Sequence, residues 1–203
     1  MERRSHSSIS RRSQGLHPHL MTNTGKIHGL DHVQFRAHLD SRGALVRVFD
    51  DPVMREAGID FAPDYALASI NPVAGTLRGM HFQRGQAGES RLISVVTGAV
   101  HNVTVDLRRS SATVLTTEVN VLRGGDGHAI LVPPGCANGW ITLEPNTVIC
   151  YQVAGKYHPE ASAGIRFDDP AFSIDWPLTP AVISDADSQW PDFDVSRAGA
   201  LEP

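Results

Sequence analysis

Cysteine is scarce in this chain: two residues among 203, Cys136 and Cys150. That is too few for a disulfide framework, and the reducing cytoplasm is the simplest setting for them. No apolar run approaches the roughly 20 residues that a membrane helix needs. Positive charge is not in excess: 18 Lys and Arg face 22 Asp and Glu, a formal net charge of -4. That balance argues against a nucleic-acid partner held by a general basic field. There is no GxGxxG following a strand and no GxxxxGK[ST] loop, so no nucleotide cofactor site is expected. Internal repeats and mid-chain linkers are missing as well.

What is present begins with a basic, Ser-rich stretch, MERRSHSSISRRSQ. Its Arg-Arg pair is followed by GLHPHLMTNTGK, which has no continuous apolar core, and an export signal is therefore rejected. Residues 1–25 are expected to form a disordered extension, and residues 26–203 a single domain. From about residue 28 the pattern is short strands separated by turn residues. GALVRVFD (43–50), YALASINPV, TLRGMHFQ, TVLTTEVNVL (113–122) and TVICYQVAGKY (147–157) read as strands. RLISVVTGAVHNVTVDLR (91–108) reads as two β-branched runs broken at Thr97-Gly98, and AILVPPGCANGWITLEP (129–145) as strand, Pro-Gly turn, strand. DPVMREAGI (51–59) is the best short helix, opened by Asp51 with Pro52 at its first position. From residue 168 the chain is rich in Pro and Asp and is expected to wrap over the surface. Many strands at this spacing with few helices predict an all-β fold, a double-sheet jelly roll.

TLRGMHFQ (76–83) poses the first chemical question, because a titratable ring stands where packing would accept valine. His81 has three readings: a core histidine with one hydrogen bond, a metal ligand, or a base. Paired metal ligands on one strand face would put a second histidine two residues on. Gln83 stands there, and Glu89 lies against a Gly-rich turn, so no metal site is expected. Strand alternation puts Leu77, Gly79, His81 and Gln83 on one face. A bulge at Gly79 would bring Arg78 round to join His81. Tyr151, in VICYQV, reads as a half-buried aromatic. Asp187, in ISDADSQW, reads as a loop carboxylate, and PPGCANGW as a tight connection.

Taken in order, DSRG, TLRGMHFQ, LISVVTGAVHNVTVDLR, VPPGCANGW, CYQVAGKYHPE, GIRFDDPAFSIDWPL and ISDAD resemble the dTDP-4-dehydrorhamnose 3,5-epimerase family. The resemblance runs from about Asp40 to Phe193. It implies a cupin-like jelly roll (a double-stranded β-helix) with no cofactor and no metal. It also implies an isomerase acting on a dTDP-linked 4-keto-6-deoxysugar and homodimers that exchange strands. By the same resemblance His81 is the catalytic base, Asp187 the carboxylate behind it and Tyr151 the acid on the other side of the sugar ring. Arg42, Asn71, Arg78, Gln83, Arg91, Asn138 and Arg166 are implied as substrate contacts, with Arg91 in place of a lysine near the keto oxygen. Asn138, Asn102 and Arg47 stand where the family commonly has histidine, aspartate and an acidic residue. An altered substrate or outcome is therefore expected: an epimerase of one centre, C3 or C5, or a nucleotide-sugar-binding jelly roll without catalysis, are the alternatives.

The chemistry agrees with these roles. A proton on carbon beside a ketone is weakly acidic, and a base that titrates near neutrality suits its removal. A carboxylate behind the imidazole holds its tautomer, and a fixed cation stabilises the enolate oxygen. A histidine base predicts activity that falls below about pH 6, where an imidazole takes up a proton. A rate profile flat from about pH 5 to 8 would remove His81 from that role.

Overall fold

Runs of β-branched and aliphatic residues, punctuated by glycine turns, form thirteen strands in a computed structural model that describes residues 21–85 and 88–194. In chain order they are β1 (Met21–Thr24), β2 (Asp31–Gln34), β3 (Ala37–Asp40), β4 (Gly43–Val46), β5 (Tyr65–Asn71) and β6 (Leu77–Gln83). Then come β7 (Ser90–Thr97), β8 (Ala99–Asp106), β9 (Thr117–Arg123), β10 (His128–Val132), β11 (Cys136–Thr142), β12 (Thr147–Ala154) and β13 (Ser162–Gly164). Helix α1 (Asp51–Glu56) follows β4, and α2 (Asp185–Ser188) lies near the end of the chain. Of the expected N-terminal extension, residues 1–20 lie outside the described residues, and Met21–Thr24 pairs with β2 as an edge strand.

The strands make two antiparallel sheets, β1-β2-β10-β7-β12-β5 and β13-β6-β11-β8-β9, with β3 and β4 as a separate hairpin. The jelly roll expected from strand spacing is the observed fold. Alternation sorts side chains into three layers. Ile93 and Val95 of β7, Ile130 of β10 and Ile149 of β12 meet Val100, Leu122 and Trp140 between the sheets. Met54 of α1 and Phe61 cover the outer face of the six-stranded sheet over Leu92 and Ala129. On the outer face of the five-stranded sheet, Phe172, Ile174 and Trp176 of the wrapping C-terminal segment pack over Met80, Phe82 and Val103.

Several local expectations shift. The strand expected over 43–50 ends at Val46, in an outstanding hairpin where Leu39 and Leu45 are 76% and 74% exposed. Helix α1 is capped by Asp50 rather than opened by Asp51, since the Asp50 carboxylate accepts from Val53 N–H at 3.3 Å. Residues 113–116 are turn, not strand, because Thr113 Oγ1 donates to Asp106 Oδ2 at 2.8 Å. On β9 the face toward the interior carries Glu118, Asn120 and Leu122, while Val119 and Val121 are 47% and 45% exposed.

The position that shapes the site is Gly79. Its φ is +133°, and a Cβ there would sit 2.4 Å from the Cα of Gly139 on the neighbouring strand. Both strain and backbone collision oppose any side chain. Gly79→Ala is expected to lose about 2–4 kcal/mol of unfolding free energy in urea titration, from left-handed strain plus overpacking.

Candidate active site

The bulge at Gly79 changes which side chains share a face. His81 pairs with Asn138 and Arg78 with Trp140, so three residues of β11 lie opposite four of β6. Strict alternation would have separated Arg78 from His81. The extra residue brings both into one cavity of about 640 Å³ between the two sheets. His81 and Arg78 enter it from the five-stranded sheet, and Tyr151 and Arg91 from the six-stranded sheet. The bulge expected at Gly79 is therefore present.

Asp187 reaches the cavity from α2, whose N-cap Ser184 Oγ accepts from the Asp187 N–H at 3.1 Å. One carboxylate oxygen bonds His81 Nε2 at 2.6 Å, and the other accepts the Gly79 N–H at 3.2 Å. Burial alone would raise the Asp187 carboxyl. The His81 hydrogen bond and charge, with the Gly79 and Ser184 hydrogen bonds, outweigh it and hold the group below the usual carboxylate range. An ionised carboxylate only accepts, so Nε2 carries a ring proton toward Asp187, and Nδ1 is the nitrogen that holds the lone pair whenever the ring is neutral. Asp187 is thus buried and partnered, not the solvated loop carboxylate its local sequence suggests.

Across the cavity, Tyr151 accepts a hydrogen bond from Trp140 Nε1. Burial pushes the phenol up to about 12, against the Trp140 hydrogen bond and the Arg91 and Arg78 charges, which pull it down. The phenol therefore keeps its proton at neutral pH. Arg91 pairs with buried Glu89, Nη2 to Oε2 at 3.1 Å, and Nη1 donates to the His81 carbonyl at 3.4 Å. Tyr65 donates to the other Glu89 oxygen at 2.8 Å, and burial followed by Glu89 pushes Tyr65 up to about 12. Glu89 thus holds Arg91 by an ion pair.

The remaining sequence candidates divide. Gln83 lines the cavity, but its amide is tied to the backbone, accepting from His158 N–H at 2.7 Å and donating to Lys156 carbonyl at 3.3 Å. Asn138 lines it too, yet its amide nitrogen donates to Asn102 Oδ1 (2.9 Å), Val103 carbonyl (3.1 Å) and Thr104 Oγ1 (2.9 Å). Asn138 thus lines the cavity with its amide nitrogen bonded to strand β8. Asn102 and Asn138, two departures noted separately in the sequence, are direct partners. Asn71, Arg42 and Arg166 do not line this cavity. Asn71 is buried and accepts from Arg78 Nε at 3.4 Å. Arg166 is joined to Asp192 at 2.7 Å and to Asp168 in the C-terminal segment. Arg42 pairs with Asp40 at the tip of the β3–β4 hairpin. Arg47, the charge reversal, pairs with Asp50 at the start of α1.

Tyr65, Trp140 and Trp190 line the cavity without having been singled out. Trp140 lies inside the quoted VPPGCANGW motif, but its register against Tyr151 is a product of sheet packing. Among the described residues no group of three or more His, Cys, Asp or Glu side chains is arranged to hold a metal ion.

Comparison with known proteins adds an independent finding. The sequence model of the dTDP-4-dehydrorhamnose 3,5-epimerase family matches residues 24–194. A curated dTDP-4-dehydrorhamnose 3,5-epimerase of Methanothermobacter thermautotrophicus is 32% identical over 163 residues, 78% of this chain and 86% of that protein. The crystal structure of the Bacillus anthracis dTDP-4-dehydrorhamnose 3,5-epimerase with TDP and pyrophosphate bound is similar at TM-score 0.81 and 29% identity, covering 86% of this chain and 99% of that one. A dTDP-6-deoxy-D-glucose-3,5-epimerase of Legionella pneumophila in complex with dTDP-4-keto-L-rhamnose is similar at TM-score 0.77 and 30% identity, covering 83% and 90%.

The lowered Asp187 value has a definite sign in the stability curve. The ionised carboxylate stabilises the fold fully above the range where an unfolded-chain carboxyl titrates, near pH 4. That contribution is lost as pH falls through the lower folded-state value. In urea unfolding across that acid range, Asp187→Asn is expected to show a shallower fall of stability than the unaltered protein.

Proposed function

The chain belongs to the dTDP-4-dehydrorhamnose 3,5-epimerase family, and from that premise we propose that it epimerises a dTDP-linked 4-keto-6-deoxyhexose without a cofactor. The observation that carries this reading is the opposition of two proton-transfer groups across one cavity. His81, backed by Asp187, comes from one sheet, and Tyr151 comes from the other. An epimerase must remove a proton from one face of a carbon and return one to the opposite face, and this arrangement suits that demand.

His81 Nδ1 takes the proton from the carbon next to the ketone. The C–H pair becomes the enolate double bond, and the carbonyl π pair moves onto oxygen. Arg78 and Arg91, held by Asn71 and Glu89, supply positive charge for that oxygen. Tyr151 gives its phenolic proton to the same carbon from the far side, and the ketone re-forms with the centre inverted. Imidazolium and phenolate return to their starting forms by exchange with water. No electron leaves or enters the substrate, so no redox group is required.

The same reading treats residues 26–203 as one domain and the protein as a cytoplasmic homodimer. The exposed apolar side chains of the β3–β4 hairpin, Leu39 and Leu45, support contact with a second copy. Arg42, at the hairpin tip, lies outside the cavity of its own chain. The free thiols Cys136 and Cys150 fit a reducing compartment.

The test is NMR of dTDP-4-keto-6-deoxyglucose with the protein in heavy water. Deuterium at both C3 and C5, with inversion, is the expected result. Label at one carbon would make it a single-centre epimerase, and binding without any exchange would overturn the enzymatic reading. His81→Ala is expected to slow exchange by roughly 10²–10⁴, the span of a general base. Asp187→Asn should cost less, on the order of tenfold to a hundredfold, because the imidazole stays while its orientation is lost. Tyr151→Phe should leave exchange on the His81 side while inversion fails.

A further inference from the structure

We propose that Trp140 is a positioning residue for the acid step: its indole N–H holds the Tyr151 oxygen and turns the phenolic hydrogen into the cavity. The inference rests on Tyr151 being the proton donor. An indole nitrogen donates and never accepts, whereas a phenol has one hydrogen and two lone pairs. When Trp140 Nε1 donates to Tyr151, it occupies a lone pair on the side of the core. The hydroxyl hydrogen then has the open side to face, where Tyr151 lines the cavity. Among the described residues, Trp140 is the hydrogen-bond partner of this oxygen.

The donor is built to stay in place. Trp140 is 2% exposed and packed among Val100, Ile130 and Ile149 between the sheets, so its ring has no room to turn. Its backbone is held as well: a Cβ on preceding Gly139 would meet Met80 Sδ at 2.6 Å. Arg91 and Arg78, the charges nearest the phenol, are each committed elsewhere, to Glu89 and to Asn71. When Tyr151 gives its proton to the substrate carbon, the O–H bond breaks, its electron pair stays on oxygen, and a phenolate remains. The hydrogen bond from Trp140 then becomes charge-assisted and stronger. A donor fixed before the reaction stabilises that oxygen without reorganising. Phenylalanine would fill most of the space and offer the phenolate nothing.

The experiment compares Trp140→Phe, Tyr151→Phe and the double variant with the unaltered protein, reading deuterium exchange and inversion of dTDP-4-keto-6-deoxyglucose separately. Trp140→Phe is expected to lower inversion by about tenfold or more, the scale of a hydrogen bond to a group that becomes charged. Exchange on the His81 side should stay near the unaltered rate, and adding Trp140→Phe to Tyr151→Phe should change nothing further. Exchange and inversion falling in parallel, additive losses in the double variant, or no effect at all would each overturn the proposal. A measurement independent of turnover covers a Trp140→Phe variant that does not fold. The chain has three tryptophans, and in nitrogen-15 spectra Tyr151→Phe should move the Trp140 indole N–H resonance. If that resonance does not move, the contact does not exist and the proposal fails. If the unaltered protein shows no exchange while the resonance moves, the epimerase reading is what fails.

Discussion

The grip of the Asp187 carboxylate on β6 is the interaction on which the rest of the site depends. One oxygen takes the backbone N–H of Gly79, in the bulge, and the other takes the ring of His81, two residues further on. A single buried charge therefore fixes both the backbone irregularity that aims Arg78 and the tautomer of the imidazole. The geometry is reciprocal. Without the bulge the Gly79 N–H would not reach the carboxylate, and without the carboxylate the site would lose the charge that holds the ring. Close contact between Gly79 and Gly139 leaves no space for another solution.

Charge around the cavity is arranged by pairing rather than by accumulation. Arg91 is held by Glu89, which also takes the Tyr65 hydroxyl, and Arg78 leans on Asn71. Glu89 is the buried member of its pair and needs such a partner, since an unpaired charge in the interior is costly, whereas Arg78 is exposed. The Asn138–Asn102 pair forms a neutral floor beside His81, its donors turned to Val103 and Thr104. The titratable groups that face each other across the cavity are then an imidazole with an ionised carboxylate behind it and a phenol raised to about 12. An imidazole backed by a carboxylate and a phenol that keeps its proton suit a base and an acid working in one turnover.

Much of this was readable before any coordinates. The two runs broken at Thr97-Gly98 are β7 and β8, joined by a glycine with φ of +78°. A Cβ there would strike Thr147 at 2.2 Å, so the glycine is required by both dihedral and space. The wrapping C-terminal segment and the absence of a second histidine at Gln83 were equally plain. The reading was weaker wherever a side chain serves another element. Thr113 looked like a strand residue but bonds Asp106, and the strand starts at Thr117 instead. Asn138 lines the cavity, but its bonds to Asn102, Val103 and Thr104 are not legible in the VPPGCANGW motif. Asp50 capped the helix in place of Asp51 because the cap is chosen by backbone geometry, not by residue type alone.

By itself the sequence determined the strand pattern, the jelly roll, the family and the identities of the three proton-transfer candidates. The strand pattern and the jelly roll follow from local signals, periodicity and turn glycines, while the family and the three candidates are implied by the resemblance that the ordered motifs carry along the chain. Only the tertiary structure decided that Arg78 and His81 share a cavity, that Asp187 touches His81 across 106 positions of chain, and that Trp140 meets Tyr151. Such contacts join different strands and sheets. Their geometry depends on register and packing summed over the whole domain, and a one-residue bulge is enough to reverse which face a side chain occupies.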